Sequence, residues 1–468
     1  MTDVLIGIAV AAFAYFALLN AIYVVFTAIA WEDVTRYVRR RRQAGGEAAF
    51  ASPLTPGISM LLPAYNEEAG IVESVRSLLS LRYPKLEVIV VDDGSTDETL
   101  DRLRRAFDLA LVRKALRAGV ETRPIVRTYV SRRHPELVVL QKENGGKADA
   151  LNAGVNAARH EFVCAIDADA LIEERALLQV ALPILDDPEL VAATGGIVRI
   201  ANGCTIDHGR VTEVRLPRSR LATLQVVEYL RAFLVGRVGW SRMNALLIIS
   251  GAFGLFRRSL VEAVGGWWTG TVGEDVELVV RLHRYLRERD EEYRIAFVPD
   301  PVCWTEAPED LGTLGRQRRR WQRGLLQTLW RHKRVVGNPR YGTLGLFALP
   351  YFVVFEAIGP LLAIIGLPLT IVLWATGRLS TLFLVAFLVV SILLGVLLSI
   401  AALALDELSF RRHPRGREVA RLVAYAVAEN FGYRQLNDLW RARAFVDLAR
   451  RRHEWGEQRR RGIGQTAA

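Results

Sequence analysis

Cysteine is scarce in this chain: Cys164, Cys204 and Cys303 are the only three in 468 residues, and they lie far apart. That spacing offers neither a disulfide framework nor a zinc motif, and it suits a reducing compartment. The GxxxxGK[ST] spacing of a P-loop is missing, since the one Gly-Gly-Lys, Gly145 to Lys147, stands without it. No internal repeat or low-complexity tract is present. The formal net charge is +11, yet no recognisable nucleic-acid module accompanies it. Nucleic acid is therefore not an expected partner, and the excess fits an anionic membrane surface or an anionic substrate.

What the chain has in quantity is apolar sequence, 51% of its residues. Val4 to Trp31 is almost uncharged and exceeds the roughly 20 residues a helix needs to cross a bilayer. A cleaved signal peptide would have a basic start and a shorter core, so the run is read as a span. Leu344 to Ala375 and Thr381 to Leu405 form a second apolar pair, a hairpin around GRLS. Pro350, Pro360 and Pro368 predict a kink or an in-plane approach in the first of these, with the span nearer Tyr351 to Trp374. Basic clusters at Arg36 and Arg39 to Arg42, and at Arg411, Arg412, Arg415 and Arg417, mark the cytoplasmic side of the first and last spans. The N-terminus is then outside, and the segment of about 300 residues between spans is inside, with the C-terminus. Val419 to Trp440 carries Arg421, Glu429, Arg434 and Asp438, and is expected as one amphipathic interfacial helix. The expected divisions are 1–49 (span and basic linker), 50–340 (cytoplasmic domain), 341–410 (hairpin) and 411–468 (interfacial helix and basic tail).

After Pro56, short apolar runs alternate with helical patterns, as in parallel strands joined by crossover helices. EVIVV and EFVCAID read as strands buried on both faces. Arg102 to Arg133 reads as a charged, solvated helical stretch. Ligands in α/β sheets gather at the carboxyl ends of strands, and acidic groups sit there. Asp92 and Asp93 in VVDDGSTDET serve equally well as turn and cap residues. Asp167 and Asp169 in AIDADA form a pair that offers oxygen ligands to a hard divalent ion, Mg²⁺ or Mn²⁺. Glu274 and Asp275 begin a helix, where a carboxylate suits the dipole or acts as a general base. Gly145 and Gly146 permit close backbone approach, and Lys147 offers a charge for a phosphate. Finally, QRRRW, Gln317 to Trp321, sets arginines beside an indole just before the apolar hairpin.

Read in order, PAYNEE, VVDDGSTD, NGGKADALN, DAD, ISGAFGLFRR, GED and QRRRW resemble the membrane-bound family 2 glycosyltransferases, the group of cellulose, chitin and hyaluronan synthases. The resemblance covers roughly Ile58 to Trp330. It implies a GT-A domain, a UDP-sugar donor, a divalent metal and inversion at the anomeric carbon. It also implies that Tyr65, Glu67, Asp92 and Asp93 hold the base and ribose, and that Lys147 approaches the diphosphate. Asp169 would bind the metal with Asp167, which also contacts the donor, and Asp275, with Glu274 beside it, would be the catalytic base. Gln317, Arg320 and Trp321 match QxxRW, which lines the family's site near the diphosphate and acceptor; Arg316, Arg318, Arg319 and Arg323 are expected as surface or headgroup contacts. Ala64 and Gly273 depart from the usual Thr or Ser and from TED without removing a carboxylate. ISGAFG lacks the cysteine of cellulose synthases, and the whole looks closer to N-acetylglucosaminyltransferase-like members.

The expectation is an inverting, multi-pass transferase at the cell membrane, adding sugar from a UDP-sugar to a carbohydrate or lipid acceptor, with possible coupled export. Single transfer to a membrane lipid is the alternative. A non-catalytic binder of nucleotide sugar or anionic lipid is the alternative of another class.

Overall fold

The computed structural model describes residues 2–43, 55–113, 115–207, 209–410 and 416–450. Arg411, Arg412, Arg415, the basic tail beyond 450 and the linker 44–49 lie outside the described residues. The chain divides into two compact units, one of Met1–Val38, Leu216–Met243 and Pro308–Gln458, the other of Arg39–Arg215, Asn244–Ala307 and Arg459–Ala468.

The second unit is built on a sheet. Its strands are β1 (Ile58–Ala64), β2 (Leu86–Asp92), β3 (Leu109–Val112), β4 (Ile125–Ser131), β5 (Leu137–Lys142), β6 (Phe162–Ile166), β7 (Leu171–Ile172), β8 (Val191–Ile200), β9 (Thr205–Asp207), β10 (Arg210–Glu213), β11 (Phe253–Arg257) and β12 (Arg294–Thr305). Ten of them make one mixed sheet in the order β3-β4-β5-β2-β1-β6-β11-β8-β12-β7, while β9 and β10 form a separate hairpin. The centre, β5-β2-β1-β6, is parallel, and so is the pair β8-β12. β11 runs antiparallel between β6 and β8, beside the parallel strands that the alternation of runs and helical patterns predicted. β6 and β8 are buried along their full length; the unbroken apolar run of β6 matches this, while β8 buries Thr194 and Arg199 as well. Chain order reverses at β1, with β2 on one side and β6 on the other, so the carboxyl ends of these strands form a topological switch point.

The charged stretch Arg102 to Arg133 is not helical throughout. Its helix ends at Phe107, where Asp108 adopts a left-handed conformation, and β3 and β4 pair antiparallel at the sheet edge. In β4, beside the edge strand β3, Val126 and Arg127 are exposed in succession, so its burial does not alternate.

The first unit is helical. Three helices are long and apolar enough to cross a membrane, Thr2–Arg40, Leu344–Ala375 and Thr381–Phe410. The prolines do not divide the second of these. It stays helical from Leu344 to Ala375 and absorbs the misfit in π-helical turns at Leu344–Ala348 and Phe352–Ile358. A proline leaves the carbonyl four residues earlier without its helical donor. For Pro360 that carbonyl is Glu356, and it accepts from Gln322 Nε2 at 3.0 Å and Arg441 Nη2 at 2.5 Å. Instead of one amphipathic helix, Val419 to Trp440 falls in two, Gly416–Ala428 and Tyr433–Ala449, broken at Gly432 with φ of 100°. The break places Glu429 in the interior, where Arg231, Arg434 and Ser399 all donate to its Oε1. Charge on this segment is thus satisfied inside the unit as well as at its surface.

Candidate active site

The loop after β1 and the loop after β2 are tied together. Asn66, held at φ of 55°, accepts from the Thr96 backbone at 2.8 Å through its side chain and donates its own N–H to Ser95 Oγ at 3.1 Å. The Glu67 N–H donates to Thr99 Oγ1 at 2.9 Å. Tyr65 is thereby left 50% exposed beside the end of β2.

Asp92 and Asp93 behave differently. Asp92 accepts the Ser95 N–H at 3.2 Å, and burial pushes its carboxyl above the usual range, with the Ser95 hydrogen bonds opposing. Asp93 is engaged by protein donors. Lys142 Nζ reaches its Oδ1 at 2.5 Å, and the Gly145 and Gly146 N–H groups meet its two oxygens at 3.0 and 2.7 Å. The glycine pair therefore holds Asp93, with Gly146 at φ of 86°, rather than standing as a bare backbone surface. Lys142, invisible as a functional residue in the sequence, is fully buried and also pairs with Asp149 Oδ1 at 2.6 Å.

Lys147 opens the helix Lys147–Ala157 and is the hub of the site. Its Nζ lies 2.6 Å from Asp167 Oδ1, 3.3 Å from Glu274 Oε1 and 3.0 Å from the Gly251 carbonyl. Burial acts to lower its pKa, but Asp167 and Glu274 outweigh burial and hold it above the lysine range. Burial raises the Glu274 carboxyl, against Lys147 and with Asp275. Asp275 is half-buried in the first turn of the helix Glu274–Glu288. Its Oδ2 would lie 3.1 Å from a Cβ on Gly251, so the glycine of ISGAFG is what lets that loop pass the carboxylate.

Residues that the motif reading missed hold this helix in place. His283 is buried, its Nε2 facing the Leu246 carbonyl at 3.0 Å and its Nδ1 the Tyr293 hydroxyl at 2.7 Å. The carbonyl requires an Nε2–H, so Nδ1 accepts; burial pushes this histidine down to about 4, which keeps the ring neutral. Arg281 donates to the Val264 and Gly266 carbonyls, each at 2.6 Å. Spacing gave no signal for His283, whose partners lie in other segments; Arg281 also pairs with Glu277 at 2.8 Å, an i,i+4 spacing on its own helix.

Asp167 and Asp169 follow β6, both half-buried. Among the described residues no group of three or more His, Cys, Asp or Glu side chains is arranged to hold a metal by itself. A pair of carboxylates does fit a hard cation that takes its remaining ligands from substrate phosphates and water.

Gln317, Arg320 and Trp321 lie on the helix Leu311–Arg331 of the other unit. Gln317 Oε1 is buried and accepts no hydrogen bond among the described residues. Trp321 is 43% exposed. Two of the arginines expected at the surface are not there: Arg318 and Arg323 are buried, at 5% and 8% exposure. Arg318 turns inward because Glu228 offers a charge partner.

With this arrangement known, comparison decides the class. The family profile described as Glycosyltransferase like family 2 matches residues 56–324. The chain belongs to that family. The match covers the sheet, the carboxylates and QRRRW, so this transferase carries a GT-A fold of mixed α/β type. Among curated proteins, it is 32% identical over 280 residues to poly-beta-1,6-N-acetyl-D-glucosamine synthase of Staphylococcus epidermidis, covering 58% of this chain and 57% of that one. The Staphylococcus aureus synthase is 32% identical over 277 residues, covering 59% and 56%. The matched region spans little more than half the length of these relatives. A solved structure, the mannosyltransferase PcManGT from Pyrobaculum calidifontis in complex with GDP-Man and Mn²⁺, is similar at 23% identity and a TM-score of 0.49, covering 88% of this chain and 99% of that one.

Proposed function

We propose that this glycosyltransferase is an inverting, metal-dependent, multi-pass membrane enzyme that transfers N-acetylglucosamine from UDP-N-acetylglucosamine to a growing glycan, with its sheet unit on the cytoplasmic side. The observation that carries the reading is the Lys147 hub, which ties Asp167 of DAD, Gly251 of ISGAFG and Glu274 beside Asp275 into one cluster. The choice of sugar rests on the similarity to the two synthases.

In this reading the acceptor hydroxyl gives its proton to Asp275 as its oxygen attacks the anomeric carbon, and the bond to the diphosphate breaks on the opposite face. Tyr65, Glu67 and Asp92 hold the nucleoside, while Asp93 shapes the loops around it. Asp169, with Asp167, would hold Mg²⁺ or Mn²⁺, which when bound neutralises the diphosphate leaving group. Gln317 and Arg320, through the match to QxxRW, are read as diphosphate contacts and Trp321 as a contact of the acceptor sugar. Lys147 keeps Asp167 and Glu274 from repelling one another.

The test is UDP release by the purified full chain in lipid with Mn²⁺. UDP-N-acetylglucosamine should be consumed and a ladder of products formed. Absence of release from any common UDP-sugar would overturn the reading, and a single shifted lipid would replace polymer synthesis by one transfer. Asp169→Asn should weaken Mn²⁺-dependent UDP binding by more than about tenfold, since loss of even an outer-shell partner of a metal reaches that size. Calorimetry in the presence and absence of Mn²⁺ measures it, and equal affinities for variant and parent would remove Asp169 from the metal.

A further inference from the structure

Trp321 is an exposed ring on a helix, and such a side chain samples several rotamers unless something holds it. Within the helical unit it is held. The Arg318 guanidinium carbon lies 4.5 Å from the centre of the Trp321 ring, a cation–π contact one turn away. Arg318 is fixed in turn: its Nη2 donates to Glu228 Oε2 at 2.7 Å, from the helix Arg220–Leu230. The same oxygen accepts the Tyr433 hydroxyl at 2.6 Å, from the helix Tyr433–Ala449. Below this pair Leu314, Tyr433 and Trp440 pack together with Leu221, Leu224 and Leu436. Gly315 allows the closeness, since a Cβ there would stand 2.7 Å from Trp440 Nε1. Three segments distant in sequence therefore meet beneath one indole.

We propose that Glu228 is a positioning residue for acceptor binding: by holding Arg318 it sets the Trp321 ring as a rigid stacking platform for a sugar. The proposal rests on the reading of Trp321 as an acceptor contact. Glu228 touches neither substrate nor reacting atoms. Its carboxylate orients a guanidinium, and the guanidinium orients a ring. Two hydrogen bonds on one carboxylate oxygen, one of them charge-assisted, define the position of Arg318 more narrowly than the ring alone could.

The experiment uses the full chain in lipid, UDP-N-acetylglucosamine as donor and soluble β-1,6-linked N-acetylglucosamine oligomers as acceptor. Glu228→Gln should raise the acceptor KM roughly tenfold, the size of one oriented cation–π contact, with donor KM unchanged. Glu228→Asp, which keeps the charge, should recover part of the loss. Tyr433→Phe, which keeps the ring packing, should raise acceptor KM less than Glu228→Gln. In a Trp321→Phe background, Glu228→Gln should add almost nothing if it acts through the indole. An equal penalty in both backgrounds, a parallel rise in donor KM, or an unchanged acceptor KM in Glu228→Gln would each overturn the proposal. If Glu228→Gln fails to fold, the Tyr433→Phe and Glu228→Asp pair decides alone: unchanged acceptor KM in both refutes it. A parent enzyme that releases no UDP defeats the transferase reading instead, so the two failures are distinguishable.

Discussion

Asp275→Asn is expected to lower turnover by roughly 10²–10⁴-fold while leaving UDP binding intact, the loss associated with one general base. The argument separates two adjacent carboxylates. Glu274 is buried and its Oε1 faces the Lys147 ammonium at 3.3 Å, so its charge is spent on holding the hub. Asp275 is half-buried, and the backbone it faces is Gly251, where no side chain intervenes. Under the proposed function Asp275, the more exposed of the two, is the carboxylate that meets the acceptor hydroxyl. The asparagine variant keeps shape and hydrogen bonding but cannot accept the proton. Steady-state kinetics alongside UDP calorimetry measures both quantities, and near-normal turnover by the variant would transfer the role to another group.

Lys142→Met is expected to destabilise the sheet unit by about 3–5 kcal/mol, the cost of removing one partner from a buried ion pair. Here the removal is unusually exposed to that cost, because one ammonium serves both Asp93 and Asp149 from a fully buried position. Without it, two carboxylates are left facing one another with little water. Asp149 retains the Thr122 hydroxyl at 2.9 Å and the Arg123 N–H at 3.1 Å, and Asp93 retains the two glycine amides, which limits but does not cancel the loss. The melting temperature of the full chain should fall by about ten degrees, and UDP affinity should fall with it because the Asp93 loop loses its anchor. A shift of under about two degrees would mean that water or rearranged donors replace the lysine.

The two cases differ in how far they were legible. Asp275 stands at the start of a helix in a short motif, GED, and its candidacy needs no knowledge of the fold. Lys142 ends a strand in VVLQKE and looks there like an ordinary surface lysine. Its importance exists only because β5 lies beside β2, which carries Asp92 and leads into Asp93. Lys147 is intermediate. The motif pointed to it, but its partners Asp167, Gly251 and Glu274 come from three other segments. Arg318 reverses its expected place for the same reason, since Glu228 is 90 positions away in the chain.

Some features were set by short-range chemistry, which is why sequence alone carried them. Apolar runs longer than a bilayer produce three long apolar helices, and the unbroken apolar run Phe162–Ile166 produces a fully buried strand. Carboxylates at strand exits follow from turn and cap preferences over three or four residues. The tertiary structure alone decided the antiparallel β11, the two-helix form of Gly416–Ala449, and the charged partners of Asp93, Asp167 and Arg318. Those outcomes depend on which distant segments come within a few ångströms, and the free energy of burying a charge is set by that neighbour rather than by the residues beside it in the chain.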